Sequence, residues 1–287
     1  MSAIKNFIRI TKLEITILID IVAIASFMVV PGSTRYPLVL ALVVISGTLA
    51  SMSASLFNNI YDMDIDFKMN RTRSRSKIVN LDSRNKMTVF ASVMIIISLL
   101  ISSLLINFLT MLFILGGFLS YVVLYTIVLK RRTSWNIVIG GIAGSFPALA
   151  GWASLTNSVS ATSIFIAFLV FLWTPTHFWN LSINNIDDYK TSNVPMLPAR
   201  VGVQKTEFWI IINTAILIAY SLMPLFVGII HVGRIYILFA ILMDAILLYY
   251  VTKPLFKNYD ERAFRSAFGF SNTYMLILLL VIIVSFA

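Results

Sequence analysis

PLVLALVVISGTLASMSASLFNNIYDMDIDFKMNRTRSRSK, from Pro37 to Lys77, runs without a break from an apolar stretch into an acidic ladder and then a cationic tail. Residues 37–60 are nearly all apolar or small, enough for a helix to cross the ~30 Å hydrocarbon core of a bilayer. Asn58, Asp62 and Asp66 recur every four residues, so a helix sets all three on one face. With Asp64 nearby, they are hard oxygen donors suited to Mg²⁺, which shares its shell with waters and substrate phosphates. Arg71, Arg73, Arg75 and Lys77 follow at once, and a guanidinium fork matches phosphate oxygens. Membrane charge rules alone account for these cations, but not for an acid ladder at the end of a membrane helix. The expected site is a magnesium-bridged diphosphate.

The rest of the chain extends the same pattern. Its 287 residues are 59% hydrophobic with mean hydropathy +0.91, which excludes a soluble domain. Nine apolar runs are expected to span the membrane, at 13–30, 37–60, 87–106, 108–129, 136–154, 161–183, 208–230, 234–251 and 266–286. Only Asn107 divides the third from the fourth. The runs are continuous rather than alternating, which argues against a β-barrel. Of the 22 Lys and Arg residues, only Arg35 and Arg234 fall on the face opposite the rest, placing the N-terminus and the acidic loops in the cytoplasm. The net charge of +10 therefore describes one membrane face, not a nucleic-acid surface. With no cysteine there is neither a disulfide framework nor thiolate chemistry. The N-terminal arm is too polar for a cleaved signal, so the first helix is expected to stay as a span in a prokaryotic cell membrane.

A second informative stretch is FLWTPTHFWNLSINNIDDYKTSNVPMLPARVG, from Phe171 to Gly202. INNIDD (183–188) echoes FNNIYD (57–62), with Asn184 four residues before Asp188, at the end of the sixth run as the first lies at the end of the second. This suggests internal duplication, with Asp187 and Asp188 facing the first cluster across a cavity. Two metals, or one metal and a lysine, would then hold both phosphates. His177 stands two turns earlier beside Trp173, Phe178 and Trp179, either packed or lining a pocket for a flat or polyisoprenoid ligand. Lys130, Arg131 and Arg132 sit on the acidic face and are plausible anion partners, Lys130 foremost. Gly140, Gly141, Gly144 and Pro147 mark close packing or a bent wall. Glu14, Asp20 and Asp244 lie within spans and read as structural acids, although an intramembrane acid is a functional candidate by default. Ser46 to Leu56 is rich in small residues that let helices approach closely. His231 reads as a solvated loop residue.

These motifs resemble the UbiA-type intramembrane prenyltransferase superfamily. Within it, the segments Asp62–Arg75, Tyr125–Gly144 and Thr174–Pro198 look like the protohaem IX farnesyltransferases, a likeness covering about residues 45–205. The resemblance implies one all-α membrane domain over residues 1–287, with nine helices around a central cavity open to the cytoplasm. It implies transfer of farnesyl from farnesyl diphosphate to a vinyl group of haem B, with water addition, giving haem O. Mg²⁺ would be held by Asn58, Asp62, Asp66, Asn184, Asp187 and Asp188. Arg71, Arg75, Lys130 and Lys190 would take the diphosphate, with Lys130 also acting in catalysis. His177 and Trp173 would contact haem, and Arg131 and Arg132 its propionates. The implied partners are the lipid bilayer and haem A synthase or terminal-oxidase assembly factors. Two departures stand out: Ser76 replaces the family's usual proline, and Ser192 leaves the second cluster short of a full DxxxD. Rival readings are prenyl transfer to a quinone precursor or a glycerol-phosphate lipid, or transport by a repeat membrane protein.

Overall fold

A computed structural model describes residues 3–227 and 232–286; His231, and the end of the seventh run at 228–230, lie outside the described residues. The nine expected helices are all found: α1 (Leu13–Met28), α2 (Pro37–Tyr61), α3 (Leu81–Ile106), α4 (Phe108–Leu129), α5 (Asn136–Thr156), α6 (Ala161–Ile183), α7 (Val203–Leu225), α8 (Arg234–Phe256) and α9 (Glu261–Ser285). Among the described residues eight are long and apolar enough to cross a membrane. The ninth, α1, has 16 residues, about 24 Å of helix, and falls short of the hydrocarbon thickness. Lys12 in the left-handed region (φ 52) bounds it on one side, and Pro31 and Gly32 (φ 75) turn the chain on the other. A separate amphipathic helix, Ala3–Thr11, precedes it.

Several ends differ from the apolar runs because capping, not hydropathy, fixes a helix terminus. α3 starts at Leu81 rather than 87: Asn80 Oδ1 accepts from the Ser83 amide and Ser83 Oγ from the Asn80 amide, both at 3.0 Å. Its first two turns are therefore polar and stand clear of the apolar run. α7 starts at Val203, after Gly202 at φ +84. At the division between α3 and α4, Asn107 is extended (φ −162, ψ 164), caps the Thr110 amide at 2.8 Å and donates to Ala153 O at 2.8 Å.

Consecutive helices pack in chain order, α9 returns to α1 and α6, and α1 crosses α5. That crossing depends on Gly151, where an added Cβ would fall 2.1 Å from Ala23 O. The small residues of α2 serve close packing: Ser98 Oγ donates to Ser46 O (2.6 Å) and Ser53 Oγ to Ala91 O (2.7 Å). The main core joins α1 and α5–α9, while α2 and α3 share smaller clusters. Leu104, Leu238 and Val284 remain exposed on the outside, as lipid-facing residues do. α5 changes from α to tighter turns over 141–144 and resumes with Pro147 in its first turn, and its glycines serve the close packing expected of them: a Cβ on Gly141 would meet Thr174, and one on Gly144 would meet Val170, each at 3.3 Å.

Candidate active site

The acid ladder survives a break in its own helix. α2 ends at Tyr61 and a short helix, Met63–Lys68, follows from Asp62 (φ −94, ψ 14). The hydrogen bonds from Asp62 N to Asn58 O (2.9 Å) and Asp66 N to Asp62 O (2.8 Å) keep the four-residue register through the junction. Asn58, Asp62 and Asp66 are thus all buried, at 4%, 1% and 6% exposure. Asn58 Nδ2 donates to Asp62 Oδ2 at 2.8 Å and to Thr126 Oγ1 at 3.1 Å. Asp64 points elsewhere, half-exposed in a bidentate pair with Arg131 (2.9 and 2.7 Å) that holds its carboxyl below its usual range.

The facing wall is the end of α4, whose last turns widen to i→i+5 bonding, as Lys130 N to Tyr125 O (2.8 Å) illustrates. Wide turns of this kind recur at functional sites. Thr126 Oγ1 donates back to Tyr121 O at 2.8 Å, and Lys130 forms a short ion pair with Asp62 Oδ2. The α4–α5 connection closes tightly because Gly140 leaves room for the Tyr125 ring, which a Cβ would meet at 2.6 Å.

The arginine loop divides. Arg75 is the one drawn in, 3.8 Å from Asp66, and burial lowers its pKa against the pull of that carboxylate. Arg73 lies outward over the Phe67 ring, and Arg71 is exposed beside Tyr189, whose hydroxyl burial pushes up. Asp188 meets this loop through its backbone: Oδ1 accepts from Asn70 N at 2.9 Å and Oδ2 from Arg71 N at 3.0 Å. Asn184 donates to Asn180 O at 3.1 Å, while Asp187 and Lys190 are exposed at the rim. Arg131 lies 3.7 Å from Asp62 Oδ1 but faces outward with Asp64, and Arg132 is exposed.

Deeper on α6, His177 is stacked between Trp173 (4.3 Å) and Phe268 of α9 (4.5 Å). Ser271 Oγ donates its single hydrogen to Phe268 O (2.7 Å), so its 2.7 Å contact with His177 Nδ1 is accepted from the ring N–H. This assigns the tautomer and leaves a lone pair on Nε2. Trp173 Nε1 donates to Ser271 O at 2.8 Å and lines a narrow apolar recess with Leu18, Val22, Met275 and Leu279.

One contributor is not evident from the sequence. Lys12 reads there as an ordinary cytoplasmic cation, yet its Nζ donates to Asn58 Oδ1 and, at 3.2 Å, to Tyr121 OH. Burial, then the nearby Arg75 and Lys130, lower its pKa to about 7. Its left-handed backbone, which the sequence does not signal, aims it inward.

Asp62 Oδ1 and Asn184 Oδ1 are buried acceptors without a hydrogen-bond partner, a deficit that a hard cation makes good. Among the described residues no three acids or histidines converge to hold a metal alone. The donor set therefore fits an ion that keeps substrate oxygens in its shell.

A helical membrane bundle with buried carboxylates opposed by lysine and arginine has the parts an intramembrane enzyme needs to hold a metal-bound diphosphate. The chain belongs to the UbiA prenyltransferase family, whose model matches residues 20–281. It is 63% identical to protoheme IX farnesyltransferase 2 of Picrophilus torridus, over 98% of this chain and 97% of that protein. It is 34% identical to protoheme IX farnesyltransferase 2 of Pseudoalteromonas atlantica, over 98% and 91%. Its fold is similar to a solved digeranylgeranylglyceryl phosphate synthase (TM-score 0.74, 19% identity, 100% and 99% covered). It is similar also to a UbiA homologue of Archaeoglobus fulgidus bound to DMAPP and Mg²⁺ (TM-score 0.65, 14% identity, 96% and 99% covered).

Proposed function

We propose that this chain transfers a farnesyl group from farnesyl diphosphate to a vinyl group of haem B, adding water to give haem O and releasing pyrophosphate. The acceptor assignment rests on the 63% identity, over nearly the whole chain, to the Picrophilus torridus protein named for that reaction.

Mg²⁺, held by Asn58, Asp62 and Asp66 with Asn184, Asp187 and Asp188 on the second side, would neutralise the leaving diphosphate. Around it the chain's own residues act. Lys130 and Arg75 line the carboxylates and take up the charge that develops on the diphosphate as the allylic carbon–oxygen bond breaks, with Arg71 and Lys190 at the rim. Water must be kept out until the allylic carbon has joined the terminal vinyl carbon. Water then captures the porphyrin-stabilised cation and loses a proton. No covalent nucleophile is needed. His177 offers the Nε2 lone pair to haem iron from a rigid aromatic sandwich, a propionate contact there requiring the ring to take up a second proton, with Trp173 beside it and Arg131 and Arg132 as outer propionate partners.

The test is purified protein in detergent with haem B, farnesyl diphosphate and Mg²⁺, with the porphyrin read by mass spectrometry. A haem heavier by farnesyl plus water supports the assignment. Unchanged haem, with a phenolic or glycerol-phosphate acceptor prenylated instead, overturns it. In the same assay His177→Ala is expected to raise the KM for haem about tenfold, roughly 1.4 kcal/mol, and to leave the KM for farnesyl diphosphate unchanged. Equal effects on both substrates would remove His177 from the haem contacts.

The single domain over residues 1–287 is read as lying in the cell membrane, its N-terminus and site loops cytoplasmic, supported by the near-complete segregation of Lys and Arg. The absence of cysteine makes labelling direct: Lys77→Cys should react with impermeant maleimide only in inside-out vesicles, and Ser158→Cys only in right-side-out ones. The reverse pattern would invert the topology.

A further inference from the structure

We infer that Lys12 occupies the place of the metal in the substrate-free protein and is handed to the diphosphate when metal and substrate bind. The inference rests on the diphosphate reading above. Asn58 Oδ1, the oxygen of the ladder's first residue, is taken by Lys12 Nζ. Asn58 cannot turn its amide to free that oxygen cheaply, because Nδ2 is committed to Asp62 Oδ2 and Thr126 Oγ1. A cation coordinating the Asn58 oxygen must therefore displace an ammonium from it.

The anchoring of Lys12 shows that its position is built. The preceding helix, Ala3–Thr11, is tied to α2 by Asn59 Nδ2 donating to Ile10 O at 2.6 Å, and both Asn59 and Thr11 are fully buried. The left-handed turn at Lys12 then separates that helix from α1 and directs the side chain into the site. On leaving Asn58, the ammonium keeps Tyr121 OH as a second anchor and stays among Asp62, Asp66, Arg75 and Lys130, the groups that surround the diphosphate in the proposed mechanism. A flexible four-carbon stem with a point charge suits this transfer from an amide oxygen to a phosphate oxygen. Lys12 thus acts against metal binding alone and in favour of metal together with diphosphate. The pair is taken up as a unit, which keeps a lone cation from occupying the carboxylates.

The experiment is Mn²⁺ binding to the purified, detergent-solubilised full chain, followed by EPR with and without inorganic pyrophosphate, for wild type, Lys12→Met and Lys12→Arg. Expected for Lys12→Met is about tenfold tighter binding of Mn²⁺ alone and about tenfold weaker uptake of pyrophosphate in its presence; Lys12→Arg should recover much of the pyrophosphate affinity. If wild type binds Mn²⁺ with pyrophosphate and Lys12→Met changes neither value, the Lys12 inference falls and the diphosphate site stands. If Lys12→Met weakens both bindings equally and Lys12→Arg does not rescue, Lys12 is only a structural tether and the inference falls. If no protein shows pyrophosphate-dependent Mn²⁺ binding, the diphosphate reading falls with it.

Discussion

Replacing Asp62 with asparagine is expected to cut farnesyl transfer by about 10³-fold. The side chain is nearly inaccessible, pairs with Lys130, accepts from Asn58 and has Arg131 3.7 Å from its other oxygen. Losing one preorganised electrostatic contact to the charge that develops in the transition state costs about 10²–10³ in rate, ~2.7–4 kcal/mol, and Asp62 stands at the upper end because it both faces the cation site and orders Lys130. The asparagine would also withdraw the charged oxygen that lacks a hydrogen-bond partner, the one best placed for a cation. The change leaves Lys12, Arg75, Lys130 and Arg131 with less opposing charge, so lower stability accompanies the lost rate. The double variant Asp62→Asn/Lys130→Met separates the two effects. Neutralising both partners should restore thermal stability toward wild type, because a buried pair is often replaceable by neutral groups, while transfer stays at background. Parallel assays of melting temperature and haem product would show it. Recovery of transfer in the double variant to within tenfold of wild type would mean that Asp62 serves only to balance Lys130.

The membrane class, all nine helices and the register of the ladder could be read from the sequence because each rests on a periodicity: continuous apolar length, charge asymmetry and a four-residue repeat. What could not be read depends on local geometry without a period. Asn80 and Ser83 lengthen α3 beyond its apolar run through a reciprocal cap. The wide turns of α4 bring Tyr121, Thr126 and Lys130 to the Asn58 side, an alignment that 3.6-residue spacing does not anticipate. Asp64 and Asp62 are two residues apart and diverge, one to Arg131 at the surface and one into the site. The His177 environment needs Phe268 and Ser271 from another helix, a contact invisible without the fold. Lys12 is the extreme case, since the same residue satisfies both a charge rule and a site contact.

The echo of FNNIYD in INNIDD makes the second cluster a candidate second set of metal ligands, but its geometry gives Asp188 a further task. α2 runs through its motif to Tyr61, whereas α6 stops at Ile183, so the two copies present their acids differently. Each Asp188 oxygen accepts one backbone N–H, from Asn70 and Arg71. Two charge-assisted bonds thereby fix the start of the loop whose later residue, Arg75, faces Asp66. Asp188→Asn would keep one acceptor and turn an NH₂ toward the other amide, a cost of about 2 kcal/mol. The expected kinetic result is a KM for farnesyl diphosphate about 30-fold higher, with kcat much less affected. A metal ligand could give that too, so the decisive reading is made without metal. Tryptic cleavage between Arg71 and Lys77 in Mg²⁺-free protein should be about tenfold faster in Asp188→Asn, because the latch works through backbone bonds that need no ion. Unchanged cleavage, with activity restored by excess Mg²⁺, would return Asp188 to the metal shell and leave the loop held by its neighbours alone.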